Sequence, residues 1–188
     1  SSLTGQTAAD YRPFVRSSDG FNPAPFHYLQ TPSERTSLWL LGSSGYSAQL
    51  AAMVGAGFSF AHHFSDYDAA AAMLNYRDQF KPSPARATPY AILGCAAVCA
   101  DSDAEAERLA ATIDLNFVRR SRGEYLPLAS PEEAAAYPYS PAERGLIARN
   151  RARLFVGAKP TILQQLAPMI AATKADEVAA HVEHQNIV

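Results

Sequence analysis

The 188-residue sequence is poor in cysteine, and this limits the kinds of site that it can build. Its two cysteines, Cys95 and Cys99, both lie in the apolar run AILGCAAVCA. Two thiols are too few for a disulfide framework, and without other ligands beside them they do not form a zinc site. We therefore expect buried small side chains in a reducing compartment, which predicts a cytoplasmic protein without a metal centre.

The sequence also lacks an excess of charge of either sign and any long apolar run. Sixteen basic and 18 acidic side chains give a net charge of -2, with an isoelectric point near 6.2. Such a chain has no cationic field for nucleic acid or an anionic membrane surface. No run approaches the roughly 18 consecutive apolar residues that a membrane helix needs. With 48% hydrophobic residues, we expect a soluble globular protein whose partners are small molecules or other subunits.

The chain divides into an irregular beginning and a series of strand and helix patterns. Residues 1–36 are rich in Ser, Pro, Asp and Gly without a sustained period, which predicts an irregular connection. In residues 37–188 short apolar runs alternate with helical patterns. The runs predicted as strands are SLWLLG, FSFAHHF, PYAILGCAAVCA and LFVGAKP, with DEVAAHVEH as a last strand. This alternation predicts an α/β fold with a parallel sheet, either open and doubly wound or part of a (β/α) barrel.

A polar insertion interrupts the alternation at about residues 119–153. Within it, Ser130-Pro131 and Ser140-Pro141 predict helix starts, because serine suits the cap and proline the first helical position. The insertion is too long for a plain loop, so we expect it to carry function or to cover an opening. Basic runs at 119–122 (RRSR) and 149–153 (RNRAR) flank it. They are interpreted either as a salt-bridged surface or as an anion clamp on a lid.

The segment after the first predicted strand has the composition of a phosphate-binding loop. It consists of Gly42, Ser43, Ser44, Gly45, Tyr46 and Ser47. Glycines let a ligand approach the backbone, hydroxyls donate hydrogen bonds, and a helix N-terminus offers unpaired N–H groups. The same residues are equally typical of a tight turn in which Ser44 or Ser47 caps the helix. The segment matches neither the Rossmann fingerprint nor the P-loop, so both interpretations stay open.

Taken together, these blocks resemble the luciferase-like monooxygenase family, the flavin-dependent enzymes related to bacterial luciferase. The blocks are LWLLGSSGYSAQLAAMVGAGFSFAHHFS, NYRDQFKPS, PYAILGCAAVCADSDAEAERLAAT, FVGAKPTILQQL and ADEV. The resemblance implies a TIM-barrel fold, reduced FMN or in some branches a deazaflavin, and oxygen-dependent oxidation of a small organic substrate. It implies that residues 42–47 form the loop after the fifth barrel strand, which helps to bind the flavin phosphate. The four units would be strands five to eight, so the chain resembles the C-terminal half of such an enzyme.

Two adjacent histidines, His62 and His63, follow the second predicted strand at its C-terminal end, where barrel active sites are built. Strand alternation puts His62 on the side of Phe58 and Phe60, which suits the helix-facing side, and His63 on the other. His63 is thus the better candidate for a proton carrier near flavin or substrate, with His62 second. A hydrogen-bonded structural histidine is the alternative. His181 and His184 lie on opposite faces of a strand, which speaks against a metal site.

Two functions follow as alternatives. The first is a flavin-dependent monooxygenase that acts with reduced FMN and O2 on a small organic substrate, with a flavin reductase as the partner such chemistry calls for. The second is a catalytically silent flavin- or anion-binding half-barrel that serves assembly. In both cases four parallel strands leave open edges and an uncovered face. We expect an N-terminal half, or a second copy of the chain in a homo-oligomer, to cover them.

Overall fold

The computed structural model describes residues 38–182, so the irregular connection predicted for residues 1–36 and the predicted position of His184 lie outside the described residues. The strands are β1 (Trp39–Gly42), β2 (Gly57–Ala61), β3 (Ala91–Ala100), β4 (Leu154–Ala158) and β5 (Glu177–Val182). The helices are α1 (Gly45–Val54), α2 (Ala69–Asp78), α3 (Asp103–Ser121), α4 (Pro131–Ala136), α5 (Pro141–Arg151) and α6 (Lys159–Thr173). A 3-10 turn, His62–Phe64, directly follows β2.

The strands form one parallel sheet built from consecutive strand and helix units. β1 pairs with β2 and β2 with β3, both in parallel. β3 also pairs in parallel with β4 and with β5. The predicted α/β fold of parallel (β/α) units is therefore confirmed. Over residues 38–182 the sheet does not close on itself, which is the arrangement of a partial barrel of the TIM type.

The long strand β3 decides where β4 and β5 lie. Ala96 pairs with Leu154 of β4 and with His181 of β5, so these two strands lie along opposite edges of β3. Leu93 pairs in the same way with β2 and β5. It follows that β2 and β4 succeed one another along a single edge, and that β5 continues the sheet beyond β3. The structure here differs from the expected series, in which the run LFVGAKP opens the fourth successive unit.

One face of the sheet carries the main core beneath α1, α2 and α6. Phe58, Phe60 and Leu93 are fully buried there, each contributing about 1.5–3 kcal/mol through the hydrophobic effect. Small side chains of α1 belong to the same core cluster: Ala48, Ala51 and Ala52. The helix-facing placement of the two phenylalanines is confirmed. Cys95 is buried under α6 as a free thiol, and burial raises its pKa.

The opposite face is open near β1 and covered near the end of β3. Leu41, which alternates with the core residue Leu40, is 72% exposed on this face. At the other end α3 packs Ala106 and Ala110 against Val98 of β3 and a valine of β4. The sheet therefore passes from an uncovered to a covered surface along β3.

The insertion predicted at 119–153 begins within α3, which continues to Ser121, and it contains α4 and α5. Both predicted Ser-Pro helix starts are confirmed. Ser130 and Ser140 are N-caps whose hydroxyls accept the backbone N–H three residues further on, and proline follows each. α4 packs on Leu115 of α3, and α5 is joined to α3 by ion pairs. α4 and α5 therefore add to the helical layer that α3 forms over the end of this sheet face.

Candidate functional site

The turn between β1 and α1 is held by a capping box. Ser44 is the N-cap, and its Oγ accepts the Ser47 N–H at 3.5 Å. The Ser47 hydroxyl donates to the Ser44 carbonyl oxygen at 2.8 Å and accepts the Ser44 N–H at 3.4 Å. The expected helix cap is present at Ser44, and the hydroxyls of both serines serve the turn itself. The hydroxyl of the exposed Ser43 makes no hydrogen bond within residues 38–182.

A close contact favours glycine at position 42 of this turn. A Cβ on Gly42 would collide with the Cβ of Ser47, whereas a Cβ on Gly45 would meet only the end of the exposed Tyr67 side chain, which can shift. The first turn of α1 contains no acidic residue. The N–H groups of Gly45 and Tyr46 belong to the first helical turn and have no carbonyl partner within the helix. Together with the positive end of the helix dipole, these groups favour an anion.

The segment after β2 connects this turn with the two histidines. Ser65 is buried, and its hydroxyl donates to the Ser43 carbonyl oxygen at 2.6 Å. The same oxygen of Ser65 accepts the Tyr67 N–H at 2.9 Å. The 3-10 turn with His62 and His63 immediately precedes Ser65. The β1–α1 turn and the histidines are thus parts of one hydrogen-bonded structure at the C-terminal ends of β1 and β2.

His63 lines a cavity, although not for the reason that the sequence suggests. β2 ends at Ala61, and His62 and His63 lie in the 3-10 turn, so strand alternation does not extend to them. The argument that separated the two side chains is therefore corrected. The Nδ1 of His63 lies 3.3 Å from the carbonyl oxygen of Gly94. Because a carbonyl only accepts, this contact places a ring hydrogen on Nδ1 and leaves Nε2 for other partners.

His62 is packed differently. Both of its ring nitrogens are buried without a hydrogen-bond partner among the described residues. Its ring lies 6.2 Å from that of Phe155, between centroids. Burial, assisted by the charge of Arg153 and by His63, lowers the pKa of His62. A neutral ring in this position fits the structural alternative better than a proton carrier.

A cavity of about 680 Å³ lies where the open face of the sheet meets α3 and the end of α5. This volume is in the range of pockets for small organic molecules. Its lining residues come from the 3-10 turn, the sheet, α3 and the α5–β4 connection: His63, Phe64, Ala96, Ile113, Asn116, Phe117, Arg120, Asn150, Arg153, Leu154 and His181. His63 and His181 lie at the C-terminal ends of β2 and β5, where barrel active sites are built, whereas Ala96 lies in the middle of β3 and Leu154 begins β4.

α3 provides a part of this wall that is difficult to recognise in the sequence. Ile113, Asn116, Phe117 and Arg120 are spaced i, i+3, i+4 and i+7, so they lie on one face of the helix. A helical stripe that mixes apolar residues with an amide and a guanidinium is a signal for a pocket wall. It was hidden because the pattern of α3 as a whole is that of an ordinary alanine-rich helix.

The arginines that flank the insertion fall into two groups. Arg119, Arg122 and Arg151 form ion pairs with Glu133, Glu143 and Asp114, respectively, as the salt-bridged interpretation predicts. Arg120 and Arg153 line the cavity, although Arg153 also pairs with the exposed Asp66, and no described Asp or Glu is among the lining residues. Elsewhere in residues 38–182 no group of three or more His, Cys, Asp or Glu is placed to hold a metal ion. None of the described helices is both long and apolar enough to cross a membrane.

No protein-family model matches the chain. Its sequence is similar to that of a protein of Escherichia coli (strain K12) called "Luciferase-like monooxygenase", with 35% identity over 171 residues, covering 91% of this chain and 48% of the relative. It is 38% identical over 144 residues to the uncharacterized protein YwcH of Bacillus subtilis (strain 168), covering 75% of this chain and 43% of that protein. The chain therefore spans about half the length of the relatives it matches.

Solved structures agree with the sequence comparison. Apo-MsnO8 superposes with a TM-score of 0.75 and 32% identity, over 87% of this chain and 50% of that one. DmoA from Hyphomicrobium sulfonivorans gives a TM-score of 0.54 at 14% identity, over 89% and 41%, and so speaks for the fold alone. These likenesses confirm the resemblance seen in the sequence. Over about half the length of these relatives, the chain resembles luciferase-like monooxygenases in sequence and in fold.

Proposed function

We propose that the chain takes part in a flavin-dependent oxidation, in which reduced FMN and O2 act on a small organic substrate. The likeness to a luciferase-like monooxygenase over 91% of the chain supports the class. The observation that carries the proposal is the hydrogen bond from Ser65 to Ser43, which joins the β1–α1 turn to the histidine turn of the cavity. A phosphate-binding turn and an adjacent pocket are the two parts that a bound flavin needs.

The residues of the β1–α1 turn fit a flavin phosphate, with one change from the sequence-based prediction. Gly42, Ser43, Ser44, Gly45, Tyr46 and Ser47 were all expected to contribute. The hydroxyls of Ser44 and Ser47 are engaged in the helix cap. We therefore assign the phosphate contacts to the N–H groups of Gly45 and Tyr46 and to the Ser43 hydroxyl. Gly42 acts through the close contact with Ser47 that a side chain would prevent.

In this proposal the flavin supplies the electrons for oxygen activation, and the protein orients the reactants and excludes water. A deazaflavin in place of FMN, and a flavin reductase as the source of reducing equivalents, belong to the same proposal. His63 is the proposed catalytic residue, because it lines the cavity and its Nε2 is the nitrogen that exchanges a proton. His62, whose ring nitrogens are buried, supports the turn by packing near Phe155.

The alternative of a silent flavin- or anion-binding module is favoured by one observation. The face of the sheet that contributes Ala96 and His181 to the cavity leaves Leu41 and Trp39 exposed at its other end. Such a face suits assembly as well as catalysis. Binding without turnover of any reduced flavin would support this second function.

Quenching of FMN fluorescence by the chain tests the flavin assignment. Ser43→Ala should weaken FMN binding by about tenfold or more, since a hydrogen bond to a charged group contributes about 1.5–3 kcal/mol. It should leave riboflavin, which lacks the phosphate, unaffected. Ser47→Ala is the matched control, because it removes a hydroxyl of the same turn that serves the capping box, and it should leave FMN affinity unchanged. Unchanged FMN affinity in Ser43→Ala, or an equal loss for riboflavin, would contradict the assignment.

A further inference from the structure

The cavity carries positive charge that the neighbouring residues do not neutralise. Arg120 lies on the exposed side of α3 and forms no ion pair within residues 38–182. Arg153 does pair, through Nη1 and the Oδ1 of Asp66 at 3.0 Å, but the Asp66 side chain is 97% exposed. An ion pair with so exposed a partner is weak, because water screens it. Both guanidinium groups therefore remain available to a ligand in the cavity.

Arg153 also has an unmet hydrogen-bonding requirement. Its Nε is buried without a partner among the described residues. A buried donor of this kind destabilises the protein unless something accepts its hydrogen bond. The amides of Asn116 and Asn150 line the same cavity and supply further N–H donors. These polar groups suit the oxygens of an anion better than any neutral group.

Apart from these groups and the imidazoles of His63 and His181, the wall is apolar. Phe64, Ile113, Phe117 and Leu154 line the cavity together with Ala96. A small inorganic ion would leave this apolar surface in water, whereas the hydrocarbon part of an organic acid would cover it. The wall therefore matches a molecule with one charged end and an apolar body.

We propose that this cavity binds an organic anion, a carboxylate or sulfonate with an apolar body, whose charged end is held by Arg120 and Arg153. The inference deepens the proposed function, since it assigns the substrate class of the proposed oxidation. His63, at the same cavity, is then adjacent to the bound substrate. The other source of an anion is the flavin phosphate itself, and the test below separates the two.

The test uses the full 188-residue chain and two fluorescent probes that differ by one charge. Anilinonaphthalene sulfonate has an aromatic body and a sulfonate, and N-phenylnaphthylamine is its uncharged parent. Arg120→Gln and Arg153→Gln should each weaken binding of the sulfonate by about tenfold, as expected for a lost charge-assisted hydrogen bond, and leave the parent unchanged. Arg149→Gln is the matched control, because it removes the same charge from exposed α5 outside the cavity lining.

Three outcomes would overturn the proposal. In the first, the sulfonate binds equally to the wild type and to both variants. In the second, the variants bind the neutral parent as much more weakly as they bind the sulfonate, which would indicate a lost fold or lost packing. If Arg153→Gln does not fold, the variant of the exposed Arg120 decides between the outcomes. In the third, the variants weaken binding of FMN but not of riboflavin, and the arginines then hold the flavin phosphate. A wild-type chain that prefers the sulfonate but ignores FMN would refute the proposed flavin function alone.

Discussion

The ion pair between Arg151 and Asp114 joins the two helices that form one wall of the cavity. The Nε of Arg151 lies 2.8 Å from Oδ1 and its Nη2 2.9 Å from Oδ2, so the pair is bidentate. The side chains are only 21% and 11% exposed. Asn150 and Arg153, which line the cavity, lie within two residues of Arg151. Breaking this pair should therefore loosen both the fold and the cavity wall.

The size of the effect follows from the burial of the two partners. Exposed ion pairs contribute about 0–1 kcal/mol, whereas breaking a buried pair costs about 3–5 kcal/mol. The cost of Asp114→Asn falls between these, at about 2 kcal/mol, because Glu107 lies 3.2 Å from Nη1 of Arg151 and still pairs with it. Arg151→Gln should cost more, about 3 kcal/mol, since it leaves the buried Asp114 carboxylate without a cation.

A double-mutant cycle measured by urea unfolding, followed by circular dichroism, tests this reasoning. The two single variants and the double variant should give a coupling free energy of about 1.5 kcal/mol. Arg108→Gln is the control, because its ion pairs with Glu105 of the same helix α3 and with Glu132 of α4 are exposed, so their loss should change the unfolding midpoint little. A coupling below about 0.5 kcal/mol, which is the usual error of such cycles, would refute the assigned role of the pair.

Two further predictions concern buried polar groups. The buried hydroxyl of Tyr76 donates to the Ala56 carbonyl oxygen at 2.8 Å and accepts the Tyr90 N–H at 3.1 Å, so Tyr76→Phe should lower the free energy of unfolding by about 1–3 kcal/mol. Tyr90→Phe is its control, because within residues 38–182 the Tyr90 hydroxyl bonds to the exposed Glu177; equal losses in the two variants would contradict the assignment. The pKa of His62 is lowered from the ordinary 6.5, because burial favours the neutral ring. The contribution of this neutral ring to the free energy of unfolding is therefore present above pH 6.5 and is lost as the pH falls through the folded-state pKa. His62→Phe should therefore reduce the acid-induced loss of unfolding free energy, and an unchanged pH slope would argue against it.

Local sequence signals predicted most of the elements of this fold. Four helices begin at a serine N-cap, because a serine hydroxyl accepts the backbone N–H three residues further along the chain. These caps are Ser44, Ser102, Ser130 and Ser140. The burial of Phe58 likewise follows from alternation along one strand. Such signals act over a few residues and do not depend on the rest of the chain.

The arrangement of β4 and β5 could not be predicted in this way. Which edge of β3 each strand joins depends on the length of β3, since its first half pairs with β2 and its second half with β4. Nothing in the run LFVGAKP itself records this choice. The end of β2 could not be predicted either. The strand ends at Ala61, directly before the histidines, so the alternation of side chains along a strand does not apply to His62 and His63.

The candidate site was predicted only in part for a related reason. The glycine and serine residues of the β1–α1 turn are consecutive, so their composition drew attention to them. The cavity instead collects residues from five segments between His63 and His181, and only tertiary packing brings these together. The two basic runs are visible in the sequence. Which of their arginines form ion pairs and which line the cavity depends on the side of α3 and α5 that each one occupies, and the sequence does not show this.

The open face of the sheet links the site to whatever covers that face. Ala96 and His181 line the cavity and pair with one another across β3 and β5, so the cavity rests on the same surface that exposes Leu41. Exposed apolar side chains on a sheet face are stabilised by burial against another layer. That an N-terminal half or a second copy of this chain supplies the layer stays a prediction. Either one would contact the cavity. If a second copy supplies the layer, the ligand affinity of the 188-residue chain on its own should rise with protein concentration. If an N-terminal half supplies it, this affinity should not depend on protein concentration.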